Sequence, residues 1–91
     1  MITIAVTSGT GSVSINFGNV KAESVSLISP DATPMYNFAI TNANGTFVVG
    51  ADSIDVQKTK IAEHFQLNGV CTLTITSAAD DGDYSVEIFQ R

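Results

Sequence analysis

The sequence predicts an all-β fold: a single antiparallel β-sandwich, jelly-roll or immunoglobulin-like, with about seven or eight strands. Apolar and polar residues alternate with a period of two along most of the chain, which is typical of strands with one buried face. Turn-forming residues separate the alternating runs. The length of 91 residues fits one domain, so residues 1–91 are expected to share one core.

The alternating runs are the predicted strands, and their apolar members are the predicted core. These members are Ile2, Ile4 and Val6; Val13, Ile15 and Phe17; Val25 and Leu27; Tyr36, Phe38 and Ile40; Cys71, Leu73 and Ile75; and Tyr84, Val86 and Ile88. Residues 51–67 are ambiguous, because Ile61, Phe65 and Leu67 fit a strand whereas Ile54, Ile61 and Phe65 fit a helical face. A strand over about residues 60–67, after a loop or short helical turn, is favoured.

The predicted turns follow from residues that tolerate positive φ or break strands. Asn44 and Gly45 predict a hairpin between neighbouring strands, and residues 79–83 are expected to join the last two strands in the same manner. Asn68-Gly69 predicts another tight turn. Residues 30–34, bounded by two prolines, are expected to form a loop or a corner where the chain changes sheet.

Composition limits the classes of partner. Only 14% of the residues are charged, and the net charge is −5 with four basic residues. Nucleic acid and anionic membranes are therefore poor partners, whereas a basic protein surface is compatible with this charge. One cysteine cannot form an intrachain disulfide, so either the small core is well packed or oligomerisation adds burial, and a homo-oligomer is expected.

No catalytic residue and no cofactor are expected. His64, the only histidine, lacks a partner motif for acid–base chemistry and is predicted to be an exposed strand residue. Cys71 shares the phase of Leu73 and Ile75, which predicts a small core residue rather than a reactive thiol. The N-terminal segment has no signal-peptide pattern, so synthesis in the cytoplasm without export is expected.

Asp80, Asp81 and Asp83 surround Gly82 and are weak candidates for a calcium site, because hard cations bind clustered oxygens. The EF-hand spacing is absent and no bidentate Glu follows, so an acidic turn without metal is the preferred interpretation.

Three apolar residues fall out of phase with their neighbours and are candidates for a protein interface. They are Ile28, Val48 and Phe89. For these residues three interpretations stay open: a subunit interface, ordinary surface, or a second buried layer. Tyr36 and Tyr84 are in core phase, which leaves carbohydrate recognition without an exposed aromatic platform.

The segment from Asp80 to Val86 resembles part of the immunoglobulin-like pattern D-x-G-x-Y-x-C. The resemblance implies that Tyr84 is a tyrosine-corner residue whose hydroxyl returns to upstream backbone, with Val86 in the place of the second cysteine. The family's upstream Cys–Trp pair is missing, and its longer loop is shortened here.

The whole chain is similar to small β-sandwich proteins of tailed-bacteriophage particles, which begin at Met without a signal, are rich in Ser, Thr, Asn and Gly, and end on a strand. This resemblance implies a non-catalytic capsid decoration or cement protein. It would be a homotrimer on a major capsid or other virion protein, located in the virion after synthesis in the host cytoplasm. The alternative is a β-sandwich module that binds glycans or a host surface.

Overall fold

The structure, a computed structural model, describes residues 1–32 and 34–91. This part of the chain contains seven antiparallel strands and no helix. The strands are β1 (Ile2–Val6), β2 (Gly11–Ile28), β3 (Tyr36–Thr41), β4 (Phe47–Ile54), β5 (Lys58–Ile61), β6 (Phe65–Thr76) and β7 (Gly82–Gln90). The all-β antiparallel fold is thereby confirmed, and the arrangement is consistent with a β-sandwich.

One long strand belongs to both halves of the sheet. The hydrogen-bonded order is β1-β7-β2-β6-β3-β4, and β5 also pairs with β2. Residues 25–28 of β2 lie between β5 and β7, whereas residues 11–16 pair with β6. We call β5, the end of β2, β7 and β1 the first layer, and the start of β2, β6, β3 and β4 the second layer.

The bend between the layers lies at two glycines. Gly18 in β2 and Gly69 in β6 have φ of +69° and +65°, and the register between the two strands shifts between Asn16 and Asn19. Positive φ is adopted by glycine without the steric penalty of a side chain. The alternating runs around Val13 and Val25 were predicted as two strands, and they form one strand because this irregularity bends β2 without ending it.

The core between the layers contains the predicted apolar phases. Buried residues come from every strand except β5, and they are Ile4, Val6, Ala22, Val25, Leu27, Tyr36, Phe38, Ile40, Val49, Ile54, Phe65, Leu67, Cys71, Leu73, Ile75, Tyr84 and Val86. The run Val13, Ile15 and Phe17 is only half-buried, because the start of β2 lies at an open edge of the second layer.

Residues 51–67 differ from the prediction. Neither a helical turn nor one strand over residues 60–67 is present: β5 ends at Ile61, and β6 begins at Phe65. The three intervening residues move the chain from the first layer to the second, because β5 pairs with β2 whereas β6 continues to β3.

The turn predictions had mixed outcomes. The hairpin at Asn44 and Gly45 is confirmed: Gly45 has a φ of +80°, and its N–H donates to the carbonyl of Asn42 at 2.9 Å. The turn at Asn68 and Gly69 is wrong, because both residues lie inside β6. The predicted hairpin at residues 79–83 is wrong: residues 77–81 connect β6 to β7, which begins at Gly82, and these two strands are not paired, so the connection crosses between layers.

The predicted corner at residues 30–34 joins β2 in the first layer to β3 in the second, apart from Thr33, which lies outside the described residues. This agrees with a change of sheet at that corner. Pro30 packs against Gly82, where a Cβ would lie 3.0 Å from Pro30 Cγ. The corner therefore rests on the start of β7.

Candidate functional site: the outer faces of the two layers

The outer face of the second layer carries no charged side chain in the rows formed by β2, β6 and β3. In these rows Ser12, Thr74 and Ala39 are register neighbours, as are Ser14, Thr72 and Thr41. The outward residues are Ser12, Ser14, Asn16, Val70, Thr72, Thr74, Thr76, Asn37, Ala39 and Thr41. We call this surface the uncharged face.

Small side chains with hydroxyl groups cover most of the uncharged face, and apolar side chains lie at its ends. Threonine is stiff at χ1 because it is β-branched, and the hydroxyls of Ser14 and Thr72 are hydrogen-bonded at 3.0 Å. Val70 is 45% exposed and Phe47 is 61% exposed. The Phe47 ring lies beside Gly50, where a Cβ would be 3.1 Å from the ring.

The outer face of the first layer, in contrast, segregates its charges by strand. β5 presents Lys58 and Lys60, and β7 presents Asp83 and Glu87. We call this surface the charge-segregated face; it includes Ser26 and Ile28 of β2, which lies between the two charged strands, and Ser85 and Phe89 of β7. The Lys60 ammonium is 5.5 Å from the centroid of the Phe89 ring, within the range of a cation–π contact.

The three interface candidates occupy different environments. Ile28 and Phe89 are 36% and 37% exposed, and both lie on the charge-segregated face. Val48 is half-buried and packs against the core. Its phase is broken by a register shift: Phe47 pairs with Thr41 and Val49 with Ile40, which leaves Val48 as the extra residue of a bulge.

The sequence analysis missed several exposed apolar residues, of which Phe47 and Val70 border the uncharged face. Phe47 and Val70 each begin or interrupt an alternating run, where phase alone assigns no face. A usable signal was the glycine that precedes each of them, Gly45 two residues before Phe47 and Gly69 directly before Val70, since turns and bulges shift the alternation by one residue.

The three aspartates considered for a metal do not converge. Both carboxylate oxygens of Asp81 accept backbone N–H groups of the β1–β2 turn, from Ser8 at 3.1 Å and Gly9 at 3.0 Å. Asp83 lies in β7 opposite Ala5, and the Asp80 carboxyl is hydrogen-bonded to Asp31. No group of three His, Cys, Asp or Glu residues within 1–32 and 34–91 is arranged to hold a metal ion. Through these hydrogen bonds Asp81 stabilises the β1–β2 turn.

The pairing of two carboxyls changes the proton affinity of Asp80. Its hydrogen bond to the Asp31 side chain, with smaller effects from desolvation and from the charges of Asp31 and Asp81, raises the pKa of Asp80 above the ordinary 3.8. A raised folded-state pKa contributes stability that is present below the ordinary pKa and is lost as pH rises through the folded value.

Asp80→Asn is therefore expected to raise the melting temperature at pH 7, because an amide donates to Asp31 without bearing a charge. The difference from wild type should disappear at about pH 3, where the Asp80 carboxyl is itself protonated. Asp52→Asn, on the edge strand β4, removes the same charge away from Asp31 and is the control. Equal gains in both variants at pH 7 would mean that net charge, and not the carboxyl pair, is responsible.

His64 and Cys71 lie in different environments and do not form a common site. His64 is exposed in the connection between β5 and β6, rather than on the polar face of a strand as predicted. Cys71 is buried, as predicted, and its thiol lies 3.8 Å from the carbonyl oxygen of Asn68. The thiol is a core group of β6.

The two tyrosines form an edge-to-face pair in the core, with ring centroids 4.9 Å apart and an interplanar angle of 73°. The Tyr84 hydroxyl donates to the backbone carbonyl of Asp80 at 2.8 Å, which is the upstream hydrogen bond that the immunoglobulin-like resemblance implies. Burial, reinforced by the charge of ionised Tyr84, raises the pKa of Tyr36 to about 12. Neither ring is available to stack on a sugar.

Tyr84→Phe is expected to cost about 1–2 kcal/mol of unfolding free energy, because the Asp80 carbonyl loses its donor. Tyr36→Phe is the matched control: among the described residues its buried hydroxyl has no hydrogen-bond partner, so its removal should be neutral or stabilising. Urea unfolding of both variants measures the difference. A loss at Tyr36 as large as that at Tyr84 would contradict this assignment.

A cleft of about 300 Å³ lies along residues 26–28 of β2 and 58–60 of β5, and another, of about 200 Å³, lies between the start of β1 and the bend of β2. Ile2, Phe17, Val20 and Ile88 line the apolar wall of the smaller cleft.

Among residues 1–32 and 34–91 there is no helix with the length and apolarity to span a membrane. No protein-family model matches this chain, and no curated protein sequence matches it.

Proposed function

We propose that this chain is a non-catalytic structural protein that docks on a larger protein assembly through its uncharged face. The observation that carries the proposal is the lack of charge in the outward rows of β2, β6 and β3, in a chain with a net charge of −5. The centres of protein–protein interfaces are depleted in charged residues, because buried charges must be desolvated.

The surroundings of the uncharged face fit the same role. Phe47 and Val70 provide exposed apolar area at its ends, and aromatic side chains are enriched at interfaces. The rows of Ser and Thr offer hydroxyls that hydrogen-bond to a partner without carrying charge. A surface of short polar side chains suits a protein lattice better than a small-molecule site, since such sites are mostly apolar.

The assembly we propose is the shell of a bacteriophage particle, where the chain would act as a capsid decoration or cement protein. The resemblance to small phage β-sandwich proteins is the reason for naming this lattice, and the uncharged face supplies a surface for it. By burying this face at a junction between shell subunits, the protein would link them mechanically.

The test is cosedimentation of the purified protein with empty shells assembled from the major capsid protein that is encoded nearest to this chain's gene. Thr74→Arg, at the middle of the uncharged face, is expected to weaken shell binding by at least about a hundredfold, because a guanidinium would be buried without a partner.

Ala62→Arg is the matched control, since it adds the same charge at an exposed position in the β5–β6 connection. Its binding should equal that of the wild type. Wild-type protein that does not sediment with the shells, or equal effects of the two arginines, would contradict the proposed function. Circular dichroism of both variants checks that the β fold is retained.

A further inference from the structure

One register row crosses the charge-segregated face with opposite charges at its two sides. Ser26 of β2 pairs with Lys60 of β5 on one side and with Glu87 of β7 on the other. Adjacent strands are about 4.8 Å apart, so the Cα atoms of Lys60 and Glu87 are separated by about 10 Å, with Ser26 midway.

The next row has an apolar centre and a charged residue on the β5 side only. Ile28 pairs with Lys58 of β5 and with Ser85 of β7, and Asp83 is the next outward residue of β7. The face therefore has a cationic side on β5, an anionic side on β7 and an uncharged middle strand with an exposed isoleucine.

A second copy of this chain complements that pattern under one specific symmetry. In a two-fold dimer, the same patch of each subunit faces its equivalent on the other. If the axis runs along β2 between two stacked faces, each β5 lies over the partner subunit's β7. Each Lys60 then meets a Glu87 of the partner subunit, and the two Ile28 side chains meet at the axis.

The alternative two-fold axis, across the strands, is disfavoured by the same charges. It would place β5 over β5 and β7 over β7, which brings lysines against lysines on one side of the face and carboxylates against carboxylates on the other. Like charges placed together across an interface are repulsive and suppress that arrangement. The charge pattern thus selects the orientation as well as the partner.

The cation–π contact orients one of the charges. The Phe89 ring holds the Lys60 ammonium over the sheet, 5.5 Å from the ring centroid, instead of leaving it extended from the edge strand. Less side-chain freedom is then lost when Lys60 meets a carboxylate.

We propose that the charge-segregated face is a self-association site, at which two copies of this chain pair face to face about a two-fold axis along β2. The pairing rests on the proposed function, in which the protein acts through its surfaces, but it uses the opposite layer from the shell-binding face. It also differs from the trimer that the phage resemblance implies, so the mass of the complex decides between them.

The experiment is sedimentation equilibrium of the full chain over a wide concentration range. Wild type should form a dimer. Lys60→Glu and Glu87→Lys should each raise the dissociation constant at least about tenfold, because symmetry places each change at two contacts. The double variant, with the charges exchanged, should return the constant to within about threefold of wild type.

Lys21→Glu and Asp52→Lys are the controls, since they make the same changes in net charge outside this face and should leave the dimer unaffected. Glu87→Lys retains the Lys60–Phe89 contact, which separates loss of pairing from loss of that contact. A trimer or a monomer for the wild type, or no rescue in the double variant, overturns the inference. Shell binding by such a non-dimeric protein would leave the proposed function standing.

Discussion

Leu73→Ala is expected to lower the unfolding free energy by about 3 kcal/mol and the melting temperature by about 10–25 °C. Leu73 has no exposed surface and lies in the middle of β6, where it is the register partner of Val13 on one side and Ile40 on the other. Truncation removes its transfer free energy and leaves a cavity that rigid strands cannot close. The total stability of a domain of this size is about 5–14 kcal/mol, so the loss is a large fraction.

Val70→Ala is the control for this effect, because it shortens an apolar side chain on the same strand that is 45% exposed. It should change stability by less than about 0.5 kcal/mol. Urea unfolding followed by circular dichroism gives both values. Similar losses at the two positions would mean that the core between the layers is not packed around Leu73.

Gly11→Ala is expected to cost about 3 kcal/mol for a different reason, the contact between the backbones of β1 and β2. A Cβ at Gly11 would overlap the carbonyl oxygen of Ala5 and lie 3.1 Å from Ile4 Cγ2. The overlap is with backbone, so it is relieved only if β1 moves away. Hydrogen exchange of β1 amides should therefore accelerate more than that of β6 amides.

Gly18→Ala separates this steric effect from conformational strain. Gly18 has a φ of +69°, but a Cβ there would meet nothing within 4 Å, so its cost should be the roughly 1 kcal/mol of a left-handed alanine. A loss at Gly11 no larger than that at Gly18 would contradict the close approach of β1 and β2.

The fold class could be predicted because alternation of apolar and polar residues indicates a strand with one buried face. This interpretation was correct where the strands are regular. It failed at Asn68 and Gly69, since a glycine with positive φ occurs both in turns and in bulges. It also failed at Val48, which a bulge moves out of phase. These errors share one cause: local sequence does not say whether a strand continues past an irregular residue.

The candidate site was harder to predict from the sequence than the core. Parity alone assigns Thr72 and Thr74 to an outer face, but not which strands flank them. Lys60 and Glu87 are far apart in the chain and share a row only because β2 pairs with both strands. Such pairings are set by the global topology, which residue patterns in a single strand do not encode.

The position of β2 in both layers has a consequence for biosynthesis. The end of β2 is flanked by β5 and β7, and β7 is the last strand of the chain. During translation the end of β2 can pair with β5 on one side, but its other side stays unpaired until β7 has been made, so the first layer closes last. The second layer contains no part of β7 and has all its strands once β6 has emerged, so it is expected to form before the first layer closes.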